Sequence, residues 1–253
     1  MEKGKLYIVA TPIGNLDDIT LRALATLKSV DFILCEDTRV TKNLLDRYEI
    51  VKPTISYHQH SDARKTKEII ELLENGKNLA LVTDAGTPGI SDPGNLLIAT
   101  LLSFRTHAVG EKSPSRSPND NGDSSSLRSL GMTNDDKVQI VPIPGPCAAI
   151  AALSISGFPT DKYFFMGFPP HKNKRHKFFQ EVATAKYTVV FYESGHRITK
   201  CLTELQKFLK PEQKIIIARE LTKKFETIYR GTAGDIGNMQ VEERGEFTVI
   251  ISN

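Results

Sequence analysis

"NLALVTDAGTPGISDPG", residues 78–94, is a short apolar run that ends in a loop holding three glycines, two prolines and two aspartates. The run NLALV reads as a β-strand. Gly86, Gly89 and Gly94 open backbone angles that other residues avoid, while Pro88 and Pro93 stiffen the segments between them. Such a loop builds a shaped backbone surface at the carboxyl end of its strand. Working outward toward the N-terminus, strands alternate with helical patterns. "KLYIVA" (5–10), "DFILC" (31–35) and "TISY" (54–57) are strand-like. "ITLRALATLKSV" (19–30), "VTKNLLDRYEI" (40–50) and "ARKTKEIIELLENG" (63–76) are helical, the first with Asp17 or Asp18 as cap and the third closing at Gly76. This alternation predicts βαβ units and a parallel sheet. Ligands of such sheets sit outside the carboxyl ends of the strands, which puts "ATPIGN" (10–15) and "TDAGTPG" (83–89) on one crevice.

From about Ser103 to Lys137 the pattern gives way to a stretch rich in Ser, Asn, Asp, Gly and Pro, expected to be a disordered or loosely held surface insertion. Order returns with "VQIVPIPGP" (138–146), a strand entering a Pro-Gly-Pro turn, and "CAAIAALSIS" (147–156), a small-residue helix. "KYFFMGF" (162–168), "YTVVFYE" (187–193), "KIIIARE" (214–220), "FETIYRG" (225–231) and "EFTVIIS" (246–252) then read as strands. Beyond the helix at 147–156, helices are expected only at 171–185 and 198–209, so this half should hold a mixed, partly antiparallel sheet. The expected architecture is α/β in two domains, 1–143 and 144–253, with the boundary near Ile143 to Gly145. No internal repeat of fixed period is present.

A chain of 253 residues with 40% hydrophobic content has core enough for two such domains. The formal charge of +3 is too slight to argue for nucleic acid on its own, so any basic argument must be local. Cys35, Cys147 and Cys201 are odd in number and far apart, which indicates neither a disulfide framework nor a zinc site and fits a reducing cytosol. No secretory pattern opens the chain, and "CAAIAALSISGF" is too short to span a bilayer, so a cytoplasmic protein without a membrane partner is expected.

Polar clusters gather at strand ends. "CEDTR" (35–39) sets Glu36, Asp37 and Arg39 after the second strand, where a site and a capped helix with a surface ion pair are both open readings. "FYESGHR" (191–197) and "ARELTKKFE" (218–226) are placed alike. "HKNKRHK" (171–177) is a basic run fit for phosphates or for a solvated helix start. His58 and His60 lack a third metal ligand at a recognisable spacing, so no metal is expected. There is no GxGxxG, no GxxxxGK[ST] and no G-x-S-x-G elbow.

Taken in order, "VATPIGNLDDIT", "CEDTR", "TDAGTPGISDPG", "PIPGPCAAIAALSISGFPTD", "FYESGHR" and "ARELTKKFE" resemble the ribosomal RNA small subunit methyltransferase I family of the tetrapyrrole methylase superfamily. The resemblance covers nearly the whole chain outside about Ser103 to Lys137. It implies a donor, S-adenosylmethionine, held between two α/β domains, usually in a homodimer. It also implies 2′-O-ribose methylation of a cytidine in small-subunit rRNA, free or within the assembled subunit. Carried over by position, the donor site draws on Pro12, Gly14, Asp84, Ala85, Gly86, Ile90, Cys147, Ala148, Tyr192 and Glu193, with the Gly245 to Glu246 turn beside them. Glu36, Asp37, Arg39, Glu220 and Lys223 are the candidate catalytic set, converging on the acceptor ribose and its phosphates. The chemistry asks for in-line alignment and for a group that takes the hydroxyl's proton. The motifs do not single out that group. Gly195 stands where the family usually has proline and Cys147 where it usually has serine, and the polar insertion replaces a short connection. Two rivals share the fold: a small-molecule, tetrapyrrole-type methyltransferase, and an idle RNA-binding protein.

Overall fold

The computed structural model describes residues 2–58, 61, 63–92, 94–107 and 137–253. Strands β1 (Lys5–Val9), β2 (Phe32–Cys35), β3 (Thr54–Ser56), β4 (Leu79–Leu81) and β5 (Gln139–Ile143) form one sheet in the order β3-β2-β4-β1-β5. Every pairing in it is parallel. Side chains along each strand alternate between two cores, as the two-residue strand period requires. Val9, Ile33, Cys35, Ala80 and Val82 pack against helices α1 (Leu21–Ser29) and α2 (Thr38–Arg47). Leu6, Leu34, Leu79 and Leu81 pack on the other face against α3 (Ala63–Glu74) and α4 (Asn95–His107). Burial on both faces explains why these strands read as unbroken apolar runs.

Two local expectations are corrected. Thr20, rather than Asp17 or Asp18, caps α1 by accepting from the Ala23 N–H at 3.1 Å; the two aspartates lie in a one-turn 3₁₀ segment, Leu16–Asp18, just before it. The helix α4, not anticipated from the sequence, continues to His107, past the Ser103 where order was expected to fail. The rest of the expected insertion, 108–136, lies outside the described residues.

The second sheet contains β6 (Tyr163–Phe165), β7 (Thr188–Ser194), β8 (Lys214–Arg219), β9 (Thr227–Thr232) and β10 (Glu246–Ile251), in the order β6-β7-β10-β8-β9. Only β6 and β7 run parallel; the other pairings are antiparallel, as expected of a mixed sheet. Helices α6 (Arg175–Thr184) and α7 (Gly195–Leu205) cover one face. The short α5 (Ala148–Ser154) covers the other through Ala149, Ala152 and Leu153. Ile13, from the loop after β1 of the first sheet, is 8% exposed and belongs to this same cluster with Val190, Ile216 and Ile250. One apolar side chain thus joins the two halves.

Candidate functional site

The strand order makes β4 the neighbour of both β1 and β2, so the loops leaving these three strands lie side by side. Two of them are stitched together. The Thr11 N–H donates to the Gly86 carbonyl at 2.8 Å, and the Gly86 N–H donates to the Thr11 carbonyl at 3.1 Å. Gly86 sits at φ +83°, where a side chain is strained, and an added Cβ would stand 3.4 Å from Ile13 Cγ2. The third loop joins through Asp84, whose carboxylate accepts the Asp37 N–H at 3.1 Å.

Between these loops and the carboxyl-end loops of the second sheet lies a cavity of about 360 Å3, within the usual range for small-molecule sites. Asp84, Ala85, Gly86 and Ile90 line it from the first sheet, and Cys147, Ala148, Tyr192 and Glu193 from the second. Glu36, Lys223 and Glu246 also reach it, whereas Pro12, Gly14, Asp37, Arg39 and Glu220 do not line it. Gly14 instead borders a neighbouring groove with Asn15, Arg47, Thr222 and Lys224; Lys223 borders both. Ile13, Thr87, Ser91, Asp92, Phe168, Leu221 and Thr248 complete much of the wall. They escaped sequence reasoning because they are ordinary residue types placed there by backbone course; only Asp92 carried a signal, as the second acid of the glycine-rich loop.

The individual side chains differ in what they do. Asp37 caps α2 through the Arg39 N–H at 2.8 Å and pairs with the Arg39 guanidinium at 2.6 Å, which holds its carboxyl down at about 2. Lys223 bridges Glu220 at 2.9 Å and Glu246 at 2.8 Å; burial opposes its charge, but these bonds outweigh it and raise its pKa. Glu220 also accepts the Glu246 N–H at 2.9 Å, so it fixes the turn through Gly245 rather than facing the cavity. Of the basic run 171–177, Arg175 is buried and turned inward, not exposed as expected. It pairs with Glu204 and lies 3.8 Å from Glu193, which also holds Arg197 at 2.5 Å. The Glu193 carboxylate is therefore committed to an internal ion cluster, although the residue borders the cavity. His58 is described, His60 is not, and no group of three metal-ligating side chains occurs among the described residues.

Besides the ion-paired Glu193, four carboxyl groups, Glu36, Asp84, Asp92 and Glu246, share the cavity wall with one lysine. Burial raises the pKa of Glu36 and of Asp84, and neighbouring acids add to the effect. Asp92 is pushed furthest, to about 7, by burial and then by the charges of Glu36, Asp84 and Glu246. A wall of this kind suits a cationic ligand.

Tyr192 answers for the cysteine at position 147. Cys147 is the N-cap residue of α5 yet makes no side-chain cap bond. The Tyr192 hydroxyl accepts the Ala149 N–H instead, at 3.1 Å, taking the place of a serine oxygen. Tyr192→Phe is expected to cost about 1 kcal/mol in chemical denaturation, and adding Cys147→Ser to recover most of it, because serine caps the same N–H. A double variant no more stable than Tyr192→Phe would show that the hydroxyl does not act as the cap.

Comparison with known proteins gives a consistent picture. The family described as Tetrapyrrole (Corrin/Porphyrin) Methylases matches residues 5–108 and 125–237. A protein of Synechocystis sp. named "Ribosomal RNA small subunit methyltransferase I" is 42% identical over 252 residues, covering 98% of this chain and 79% of that one. The protein of the same name from Escherichia coli O157:H7 is 37% identical over 254 residues, covering 98% and 78%. Among solved structures, the methyltransferase CobJ superimposes with a TM-score of 0.66 at 18% identity, over 99% of this chain and 94% of that one. Uroporphyrin-III C-methyl transferase from Thermus thermophilus, complexed with S-adenosyl homocysteine, does so with a TM-score of 0.61 at 15% identity, over 99% and 98%. At such identities the structural likeness speaks for the fold alone.

Proposed function

Because the chain belongs to the ribosomal RNA small subunit methyltransferase I family of the tetrapyrrole methylases, it is an S-adenosylmethionine-dependent rRNA methyltransferase, and we propose that its acceptor is the 2′-hydroxyl of a cytidine ribose. The observation that carries the donor reading is the acid-walled cavity between two stitched glycine loops and α5. The donor has a cationic sulfonium and an ammonium against one carboxylate. Glu36, Asp84, Asp92 and Glu246 match that net positive charge, and Ile13, Ile90, Phe168 and Leu221 give it apolar surface. When bound, the donor supplies an electrophilic methyl group whose leaving group is a neutral thioether.

In this reading Asp84, Ala85, Gly86, Ile90, Cys147, Ala148 and Tyr192 hold the donor, while Pro12 and Gly14 shape the loop behind it. Glu193 supports the wall from within the ion cluster. Glu36 faces the cavity, and Lys223 stands where the cavity meets the groove lined by Arg47 and Lys224. That position supports a role for Lys223 toward the acceptor's phosphates, and Glu220 keeps it in place. Asp37 and Arg39 flank the cavity as a pair whose partner is the acceptor strand. Alignment by these groups, rather than covalent chemistry by the protein, accounts for most of the acceleration.

The division into domains 1–143 and 144–253, a cytoplasmic location and a homodimer belong to the same proposal. No helix among the described residues is long and apolar enough to cross a membrane, and exposed Leu96, Ile150, Ile155 and Phe164 support self-association. The assay is transfer from labelled donor to unmethylated small subunits, free rRNA and a tetrapyrrole in parallel. Label is expected in the RNA and to survive alkaline hydrolysis only as a 2′-O-methylated dinucleotide. Label confined to the tetrapyrrole would establish the small-molecule alternative, and failure to bind donor the idle one.

A further inference from the structure

Asp92 has no part in any of the ion pairs or hydrogen bonds seen among the described residues, although its neighbours are heavily engaged. It is half-buried in the cavity wall, on the segment between Gly89 (φ +83°) and Gly94 (φ +137°). The residue before it, Ser91, is held in the left-handed region at φ +65°, a conformation that costs a non-glycine residue free energy and is kept where the surroundings demand it. Those surroundings include the opposite wall: a side chain added at Gly167, in the segment between β6 and α6, would stand 3.3 Å from the Ser91 hydroxyl oxygen. The strained turn therefore sets Asp92 where the two walls meet, with its carboxyl group unspent.

Resting on the methyltransferase reading above, we propose that Asp92 is the general base of the reaction and that the cationic donor switches it into its ionised form. Apart from Glu193, which is tied to Arg175 and Arg197, the titratable groups that share its cavity wall are Glu36 after β2, Asp84 after β4, Glu246 at the start of β10, Lys223 after β8, Tyr192 on β7 and Cys147 at the start of α5. Three of these are acids, and the lysine is already shared between Glu220 and Glu246. Without a further cation the local field favours a protonated Asp92, consistent with its position near 7. Positive charge in the cavity reverses that preference, since an opposite charge stabilises the carboxylate. The acceptor's O–H bond then breaks toward Asp92. Its electron pair stays on oxygen for the new bond to the methyl carbon, the carbon–sulfur pair leaves with sulfur, and the proton passes from Asp92 to water as product departs. A base fully ionised at neutral pH only beside its donor is most active when transfer can occur.

Two readouts test this, one of them independent of turnover. Calorimetry of donor binding in buffers of different ionisation enthalpy should show release of about half a proton per donor at pH 7, falling to near zero at pH 9. S-adenosylhomocysteine, which lacks the sulfonium charge, should release less. In Asp92→Asn the release should largely vanish and donor affinity at pH 7 should fall by about tenfold or more, because the carboxylate that donor binding ionises is gone, while single-turnover transfer to small subunits at saturating donor should fall by about 10²–10⁴. Asp92→Glu should regain part of the rate, which guards against an Asn variant that merely misfolds. Proton release unchanged in Asp92→Asn, or transfer at the wild-type rate, would overturn the proposal. A wild-type protein that binds donor with proton release but labels no rRNA would instead overturn the acceptor reading.

Discussion

Glu193→Ala should be the most destabilising single change at the site, lowering stability by about 3–5 kcal/mol, because it strands buried guanidinium groups without their counter-charge. The Glu193 side chain is wholly buried, and Arg175 and Arg197 are only 9% and 15% exposed. Even with Glu193 present, Arg175 Nη2 and Arg197 Nη1 have no hydrogen-bond partner. Glu204 still pairs with Arg175, which limits the loss on that side and leaves Arg197 the worse placed. For a chain of this size the melting temperature should drop on the order of 10 °C. Glu193→Gln keeps the volume and one acceptor oxygen and should lose less. Thermal denaturation and donor affinity measured together decide the role. A Glu193→Ala protein that melts normally but binds donor weakly would return this residue to the donor contacts.

Gly86→Val is expected to reduce donor affinity by more than about tenfold, with a loss of stability of about 1–3 kcal/mol from forcing a β-branched residue to φ +83°. The backbone there cannot relax freely, since both the N–H and the carbonyl of Gly86 are bonded to Thr11. The new side chain would press on Ile13 and push the two loops apart. Gly237→Val provides the control, since an added Cβ there meets nothing within 4 Å and Gly237 is far in sequence from the loops. Isothermal titration with donor reads the effect directly. Wild-type affinity in Gly86→Val would mean that the glycine-rich loop does not shape the donor site.

The strands of the first sheet were legible because burial on both faces leaves apolar runs such as "NLALV" and "DFILC" with glycine or acid after them. The mixed character of the second sheet was legible from strands that follow each other too closely for crossovers. Helix α4 was missed because its sequence, "NLLIATLLSFRTH", is apolar around most of its circumference and shows weak periodicity, and because the polar stretch behind it drew the boundary inward. At the site, backbone-driven features were readable and side-chain-driven ones were not. The glycine pattern announced the Gly86 turn. Nothing local in "FYESGHR" tells that Glu193 turns inward to Arg175, a residue 18 positions earlier on another element. Likewise "CEDTR" holds three charged residues, and only the structure separates Glu36, which faces the cavity, from Asp37 and Arg39, which satisfy each other.

Ile13 has been described as packing, yet its position makes it a thermodynamic hinge pin. It leaves the first sheet's loop and is buried among Val190, Ile216 and Ile250 of the second, and it also borders the cavity. Opening the joint between the halves must draw this side chain into water and deform the cavity in the same motion. Melting of the two sheets is thereby tied to occupancy of the site, and a ligand that binds only the assembled cavity raises the resistance of both sheets at once, by an amount set by its concentration relative to its dissociation constant. The chain carries its own reporter of saturation in the cooperativity of its unfolding.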